Sequence, residues 1–291
     1  MREQTTNVNT SDGLRLHVTV WLPEDAPKAL VLLAHGIAEH AGRYRHVAER
    51  LTAAGYAVYA PDHRTHGRSD GQPRVYITDF HQAAADLLPV LELARREHPG
   101  LHTFIYGHSM GAFLATLFTL EHQDMLSGFI SSGSPLLLDT IVSPLLVTAS
   151  GLLAALTPRL PIVDLQLEAI ARDPAVVQAY MADPYCAPGK VKARMGYAYL
   201  QAVRPARERL GALRLPLLAL HGAADRIAPP GGSELLVNKA SSADKTLRFY
   251  PGLYHEIHNE PEQAEVLNNI ADWLRVRLLR DRFRDQLASV D

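Results

Sequence analysis

Gly107-His108-Ser109-Met110-Gly111 follows the apolar run Phe104, Ile105 and Tyr106 and opens a small-residue, helix-prone stretch from Ala112 to Leu120. The pattern reads as a strand, a sharp turn and a helix, with a serine at the apex of the turn. The two glycines remove the β-carbons that would obstruct so tight a reversal. The Ser109 hydroxyl is then exposed above a sheet, and the Met110 backbone N–H faces the place where an oxyanion would develop. A five-residue match is cheap, so its weight comes from the flanking strand and helix and from partners further along the chain.

Working outward, the solid apolar run Leu30 to Ala34 reads as a strand buried on both faces. The alternation of Leu14, Leu16, Val18, Val20 and Leu22 marks a half-exposed first strand. Further strands are read at Ala57 to Ala60, Thr103 to Tyr106, Gly128 to Ser131, Leu215 to Leu220 and Thr246 to Tyr250. Helical stretches lie near 43–54, 79–98, 110–122 and 231–240, with a last helix from about Pro261. Pro89 is expected to kink or break the second of these. The alternation predicts a doubly wound α/β sheet that begins antiparallel and continues parallel with right-handed crossovers.

Between Gly133 and Leu210 the alternation stops for far longer than an ordinary connection. Residues 1–134 and 210–291 are therefore read as the core, and 135–209 as a helical insertion that covers the site as a cap. Its first part, Thr140 to Pro158, carries no charge, yet Ser143, Pro144, Thr148, Ser150 and Gly151 make it a poor membrane span. It reads as a buried or interfacial helix pair, with Leu145, Leu146 and Leu152 as candidate lipid contacts. The more polar Asp164 to Arg209 is expected to be helical. A plain structural hairpin is the other reading of this insertion.

The chain has 291 residues, of which 47% are hydrophobic, enough for a large core. A net charge of -2, without Lys and Arg interleaved with aromatic residues, argues against a nucleic-acid partner. Cys186 is the single cysteine, so no intramolecular disulfide can form. The polar Met1 to Gly13 stretch lacks the apolar centre of a signal peptide, and a cytoplasmic protein with peripheral membrane contact is expected. Five arginines between Arg275 and Arg284, mixed with Asp281 and Asp285, read as a solvated helix extension.

A serine hydroxyl is a weak nucleophile near neutral pH and needs a base, itself oriented by a carboxylate. In a sheet of this type these partners follow in the order serine, acid, histidine, each just past a strand end. Asp225 lies in the loop after Leu215 to Leu220, 116 residues beyond Ser109. His255 lies 30 residues further, after Thr246 to Tyr250. An aspartate in a loop can also be a simple cap. His258 is a rival base, although it adjoins Asn259-Glu260-Pro261, which looks like a helix start and favours His255. The Ile37 N–H, in the loop His35-Gly36-Ile37-Ala38-Glu39-His40, is the candidate second oxyanion donor beside Met110. His63 with His66, and His35 with His40, lack a third ligand or a cysteine cluster, so no metal is expected.

The combination His35-Gly36-x-x-Glu39-His40-x-x-Arg43-Tyr44, Asp62-His63-Arg64-x-His66-Gly67-Arg68-Ser69, Gly107-His108-Ser109-Met110-Gly111, Ala224-Asp225-Arg226 and Tyr250-x-Gly252-x-Tyr254-His255 resembles the monoacylglycerol lipases of the α/β-hydrolase superfamily. The similarity is nearest to the bacterial members and runs from about Thr19 to Leu278. The resemblance implies a mostly parallel eight-stranded sheet flanked by helices, with an inserted helical cap. It implies cleavage of monoacylglycerol to glycerol and fatty acid through an acyl-serine intermediate, without metal or cofactor. By the same resemblance Ser109, Asp225 and His255 form a triad, Ile37 and Met110 supply the oxyanion hole, and the cap touches membrane to collect the lipid. Glu39, Arg43 and Tyr180 match residues near a glycerol pocket, while Glu39 and Arg43 read equally well as an internal ion pair. Family members usually have glycine where this chain has Thr65 and Ala112, and Thr65 would be strained if its φ were positive. A lysophospholipase, a broad carboxylesterase and a non-catalytic binding protein on this scaffold are the alternatives.

Overall fold

In the computed structural model, which describes residues 1–288, the chain opens with an antiparallel hairpin of β1 (Arg2–Asn9) and β2 (Arg15–Leu22). There follow β3 (Ala29–Ala34), α1 (Arg45–Ala53), β4 (Tyr56–Pro61), α2 (Phe80–Ala85), α3 (Leu87–Glu97), β5 (Thr103–His108), α4 (Met110–His122) and β6 (Gly128–Ser132). The chain then leaves the sheet for α5 (Pro144–Leu156), β7 (Pro161–Asp164), α6 (Pro174–Ala182), β8 (Lys190–Lys192) and α7 (Ala193–Arg209). It returns as β9 (Leu217–Gly222), α8 (Gly231–Lys239), β10 (Lys245–Tyr250) and α9 (Gln263–Ala288).

The main sheet has eight strands in the order β1-β2-β4-β3-β5-β6-β9-β10. It is antiparallel at β1/β2 and β2/β4 and parallel from β4 onward. The apolar run of β3 splits between two cores: Leu30, Leu32 and Ala34 face one layer, Val31 and Leu33 the other. Helix α4, carrying Phe113, Leu114 and Leu117, packs in the first layer, and Val266, Ile270 and Leu274 of α9 pack in the second. A strand buried on both faces needs apolar side chains at every position, which is why β3 shows no alternation.

Three local expectations change. The stretch read as one helix over 79–98 is two, because α2 ends at Ala85 and α3 starts at Leu87. Pro89 lies in the first turn of α3, where its missing N–H has no intrahelical partner to lose, so the break precedes the proline. Strand β1 was not expected: Arg2–Asn9 is mostly polar and exposed, and only pairing with β2 reveals it. The insertion also contains the small antiparallel pair β7/β8 in a region read as helical. No helix among the described residues is long and apolar enough to cross a membrane, and Thr140 to Pro158 instead yields the 13-residue α5. The side chains of Leu146, Arg282, Arg284 and Asp285 lie outside the described residues.

Candidate active site

Ser109 sits between β5 and α4 with φ 53° and ψ −121°, a conformation that L-residues avoid and that costs on the order of 1–3 kcal/mol. Close packing enforces it. A β-carbon on Gly107 would stand 2.4 Å from the Gly111 carbonyl oxygen, and one on Gly111 would stand 2.0 Å from that of Ala34. The elbow thus lies directly on the end of β3, and the Ser109 N–H is tied to the Ser132 carbonyl of β6 (2.8 Å).

The Ser109 hydroxyl donates to Nε2 of His255 (2.8 Å), and His255 Nδ1–H donates to Oδ2 of Asp225 (2.7 Å). The tautomer follows from the partner, since an ionised carboxylate only accepts. Asp225 Oδ1 accepts from the N–H groups of Ile227 and Ala228 (2.8 and 2.9 Å). Burial alone would raise the Asp225 pKa, but His255 and His221 hold the carboxyl well below its usual range. Burial also pushes His255 down, yet Asp225 outweighs it, helped by Glu256 and Glu39, and the imidazole ends above its ordinary value.

His258 has no part in the hydrogen-bond chain that runs from Ser109 through His255 to Asp225. It is fully buried, stacked on Tyr44 at 4.8 Å between ring centroids and edge-on to His108 at 4.7 Å. Burial holds it well below the usual histidine value.

Ile37 and Met110 both line the cleft beside Ser109. Met110 is the first residue of α4, so its N–H has no partner within the helix and carries the positive end of the dipole. The Ile37 loop is braced on both sides. The Gly36 N–H donates to Glu39 Oε1 (2.5 Å), while the Ala38 carbonyl accepts from the Tyr180 hydroxyl (2.6 Å) and the Ala187 N–H (2.9 Å). Ala38 itself has φ 60°.

The cleft has a cavity volume of about 220 Å³ and opens partly to solvent. Its walls are largely apolar, among them Phe80, Phe113, Leu138, Val147, Ile170 and Met195. Glu39 and Tyr180 line it near Ser109; Arg43 does not, being engaged by Glu39 and, through both terminal nitrogens, by Glu256 (2.8 and 2.7 Å).

A family model described as serine aminopeptidase, S33 (Hydrolase_4) matches residues 25–262. The chain is 42% identical over 262 residues to a monoacylglycerol lipase of Mycolicibacterium smegmatis, covering 90% of this chain and 93% of that one. It belongs to the monoacylglycerol lipase family of serine hydrolases. The human monoglyceride lipase is 35% identical, over 92% of this chain and 89% of its own. A soluble variant of the Saccharomyces cerevisiae monoglyceride lipase, solved with a substrate analog, superposes with a TM-score of 0.81 at 27% identity, covering 95% of each chain. The α/β-hydrolase fold of this lipase-family chain, with its mostly parallel sheet, is thereby shared with them.

Three residues of this family member escaped the sequence reading. His221, at the end of β9, takes a proton bond from Ser233 at Nδ1 (2.7 Å) and donates from Nε2 to Asp225 (3.0 Å), bracing the acid. His108 packs 4.8 Å from the His255 ring and is held neutral by burial, its pKa down to about 3. Glu256 is buried and lines the cleft; the sole signal in the sequence was its adjacency to His255.

Among the described residues His40, Asp183 and Cys186 bring three potential ligand atoms within 4.8 Å of one another. Their bonding is already complete in another sense. His40 Nδ1 accepts from the Gly42 N–H (3.2 Å), which places the proton on Nε2, where it is donated to Asp183 (2.8 Å). Burial pushes the Cys186 thiol up to about 12, away from the thiolate a metal needs. The His40–Asp183 bond ties the insertion to the loop that carries Ile37. The loop after β4 is also special: Thr65 has φ 64°, so the strain anticipated for a non-glycine residue is present, offset by a bond from the Tyr76 N–H to its hydroxyl (2.9 Å). Ala112 is fully buried in α4.

Proposed function

We propose that this chain hydrolyses monoacylglycerols to glycerol and fatty acid through an acyl-Ser109 intermediate, taking its substrate from a lipid surface. The observation that carries the reading is the unbroken Asp225–His255–Ser109 hydrogen-bond chain at the base of a long apolar cleft. Ser109 Oγ attacks the ester carbonyl carbon as its proton passes to His255 Nε2, and the oxyanion is held by the Ile37 and Met110 N–H groups. The carbonyl–oxygen bond to glycerol breaks as His255 returns the proton to the departing oxygen. Water, deprotonated by His255, then attacks the acyl carbon, and Ser109 is released with its proton restored.

Residues 135–209 act as the cap in this reading. Val147 and Ser150 of α5 line the cleft, while Leu145 and Leu156 of the same helix are 78% and 73% exposed. One face of α5 thus lies over the acyl chamber and the other presents apolar side chains outward, the arrangement of an interfacial helix. Glycerol hydroxyls would meet Glu39 and Tyr180 at the polar end. Turnover of monoacylglycerols, diacylglycerols, lysophospholipids and short esters, with Ser109→Ala as blank, tests the reading. Monoacylglycerol should lead the series; a lead for any other class overturns the substrate assignment, and equal turnover by the blank overturns the nucleophile.

A further inference from the structure

The cleft is lined by four acids, Glu39, Asp139, Asp164 and Glu256, and by no lysine or arginine among the described residues. Asp139 is bonded to Arg207 (2.6 Å). At the polar end, beside the catalytic serine, two carboxylates share one guanidinium. Arg43 Nη1 bonds Glu39 and Glu256, its Nη2 bonds Glu256, and Asn259 donates to Glu256 Oε2 (2.7 Å). Burial and the neighbouring Glu256 raise the Glu39 pKa, but Glu39 takes further donors from the Gly36 N–H and the Tyr44 hydroxyl (2.7 Å), so every bond it makes is that of an ionised acceptor. Two negative charges against one positive leave an excess of one, and ionised Asp225 adds another when its partner His255 is neutral, the form that accepts the Ser109 proton. The other groups facing this end do not cancel it. His108 is neutral, Asp183 of the cap is paired with His40, and Arg226 lies over the Tyr254 ring (4.7 Å) without lining the cleft.

We propose that Glu256, acting with Glu39, is a specificity-determining residue that makes the leaving-group end select uncharged alcohols and reject phosphate-bearing ones. In a water-poor pocket, like charges a few ångströms apart repel strongly, and no cation on the wall is free to offset a phosphate. The glycerol hydroxyls of a neutral lipid meet no such penalty. The inference rests on the reading that the leaving group occupies this end.

The test compares kcat/KM for three lipids of one acyl chain: the monoacylglycerol, its 3-phosphate, and the dimethyl phosphotriester of that phosphate, which keeps the bulk without the charge. The wild-type chain should favour the triester over the phosphate by tenfold or more. Glu256→Gln and Glu39→Gln should each shrink that ratio several-fold, while Glu256→Asp should retain it. Glu256→Gln should also lower the midpoint of the acid limb of kcat/KM, because the Glu256 charge helps hold His255 protonated. An equal wild-type rate on phosphate and triester overturns the proposal, as does an unchanged ratio in the Gln variants. If none of the three lipids is turned over, the substrate assignment falls by itself. Their inhibition constants against a p-nitrophenyl ester then read the same charge ratio, and equal constants overturn it.

Discussion

The loops at the ends of β3, β5, β9 and β10 and the inserted helix α5 are built on opposite terms. In the loops the carboxylates are held from several sides: Asp225 by four donors and Glu39 by three, while the elbow is pressed against Ala34. Helix α5 packs on α7 and leaves Leu145, Leu152 and Leu156 in solvent. A preorganised oxyanion site loses catalysis when donors move by fractions of an ångström, so its geometry must be over-determined. A surface proposed to meet a fluid lipid phase needs apolar area, and fixed polar partners would hinder it.

Breaking the loops should therefore cost far more than breaking α5. Ser109→Ala should lower kcat by on the order of 10⁵-fold in a single-turnover or steady-state ester assay, leaving only catalysis by binding and the oxyanion donors. Asp225→Asn keeps the shape but stabilises the wrong His255 tautomer, and a loss of about 10⁴-fold is expected. The pH profile sharpens the contrast. Because the folded environment raises the His255 pKa, the base is protonated and inactive over a wider acidic range, and the midpoint of the acid limb of kcat/KM for an uncharged substrate should lie above the ordinary histidine value of about 6.5. A midpoint below that value would contradict the charge balance described around His255.

On α5, Leu145→Asp and Leu152→Asp should weaken binding to phosphatidylcholine vesicles several-fold while hydrolysis of a soluble short ester stays within about twofold. Loss of soluble-ester activity would place α5 among the catalytic supports. Smallest of all, Thr65→Ala should cost about 1 kcal/mol in urea unfolding, since it keeps the left-handed strain and removes the bond to Tyr76. Thr65→Gly, which relieves the strain, should cost less.

How legible each part was follows from the same contrast. The elbow could be read because strand, glycines and helix are contiguous, while Asp225 and His255 were proposed from their places in the loops just past two strands. The bracing of that site could not. Arg43 meets Glu256 across 213 positions, and His40 meets Asp183 across 143, with no local period to announce either pair. Strand β1 was hidden for a different reason, since an exposed edge strand needs no apolar alternation. The helix start beside His258 already favoured His255 in the sequence, and the structure adds that His255 bonds Ser109 while His258 is packed between Tyr44 and His108.

The Ala38 carbonyl accepts from two groups of the insertion, Tyr180 and Ala187, while its neighbour Ile37 is the proposed oxyanion donor. Modularity is limited accordingly. A chimera that exchanged residues 135–209 for a relative's insertion would inherit not just a new acyl chamber but a new clamp on the catalytic loop. Such a graft would keep its rate only if the incoming segment returned a hydroxyl and an N–H to that one oxygen.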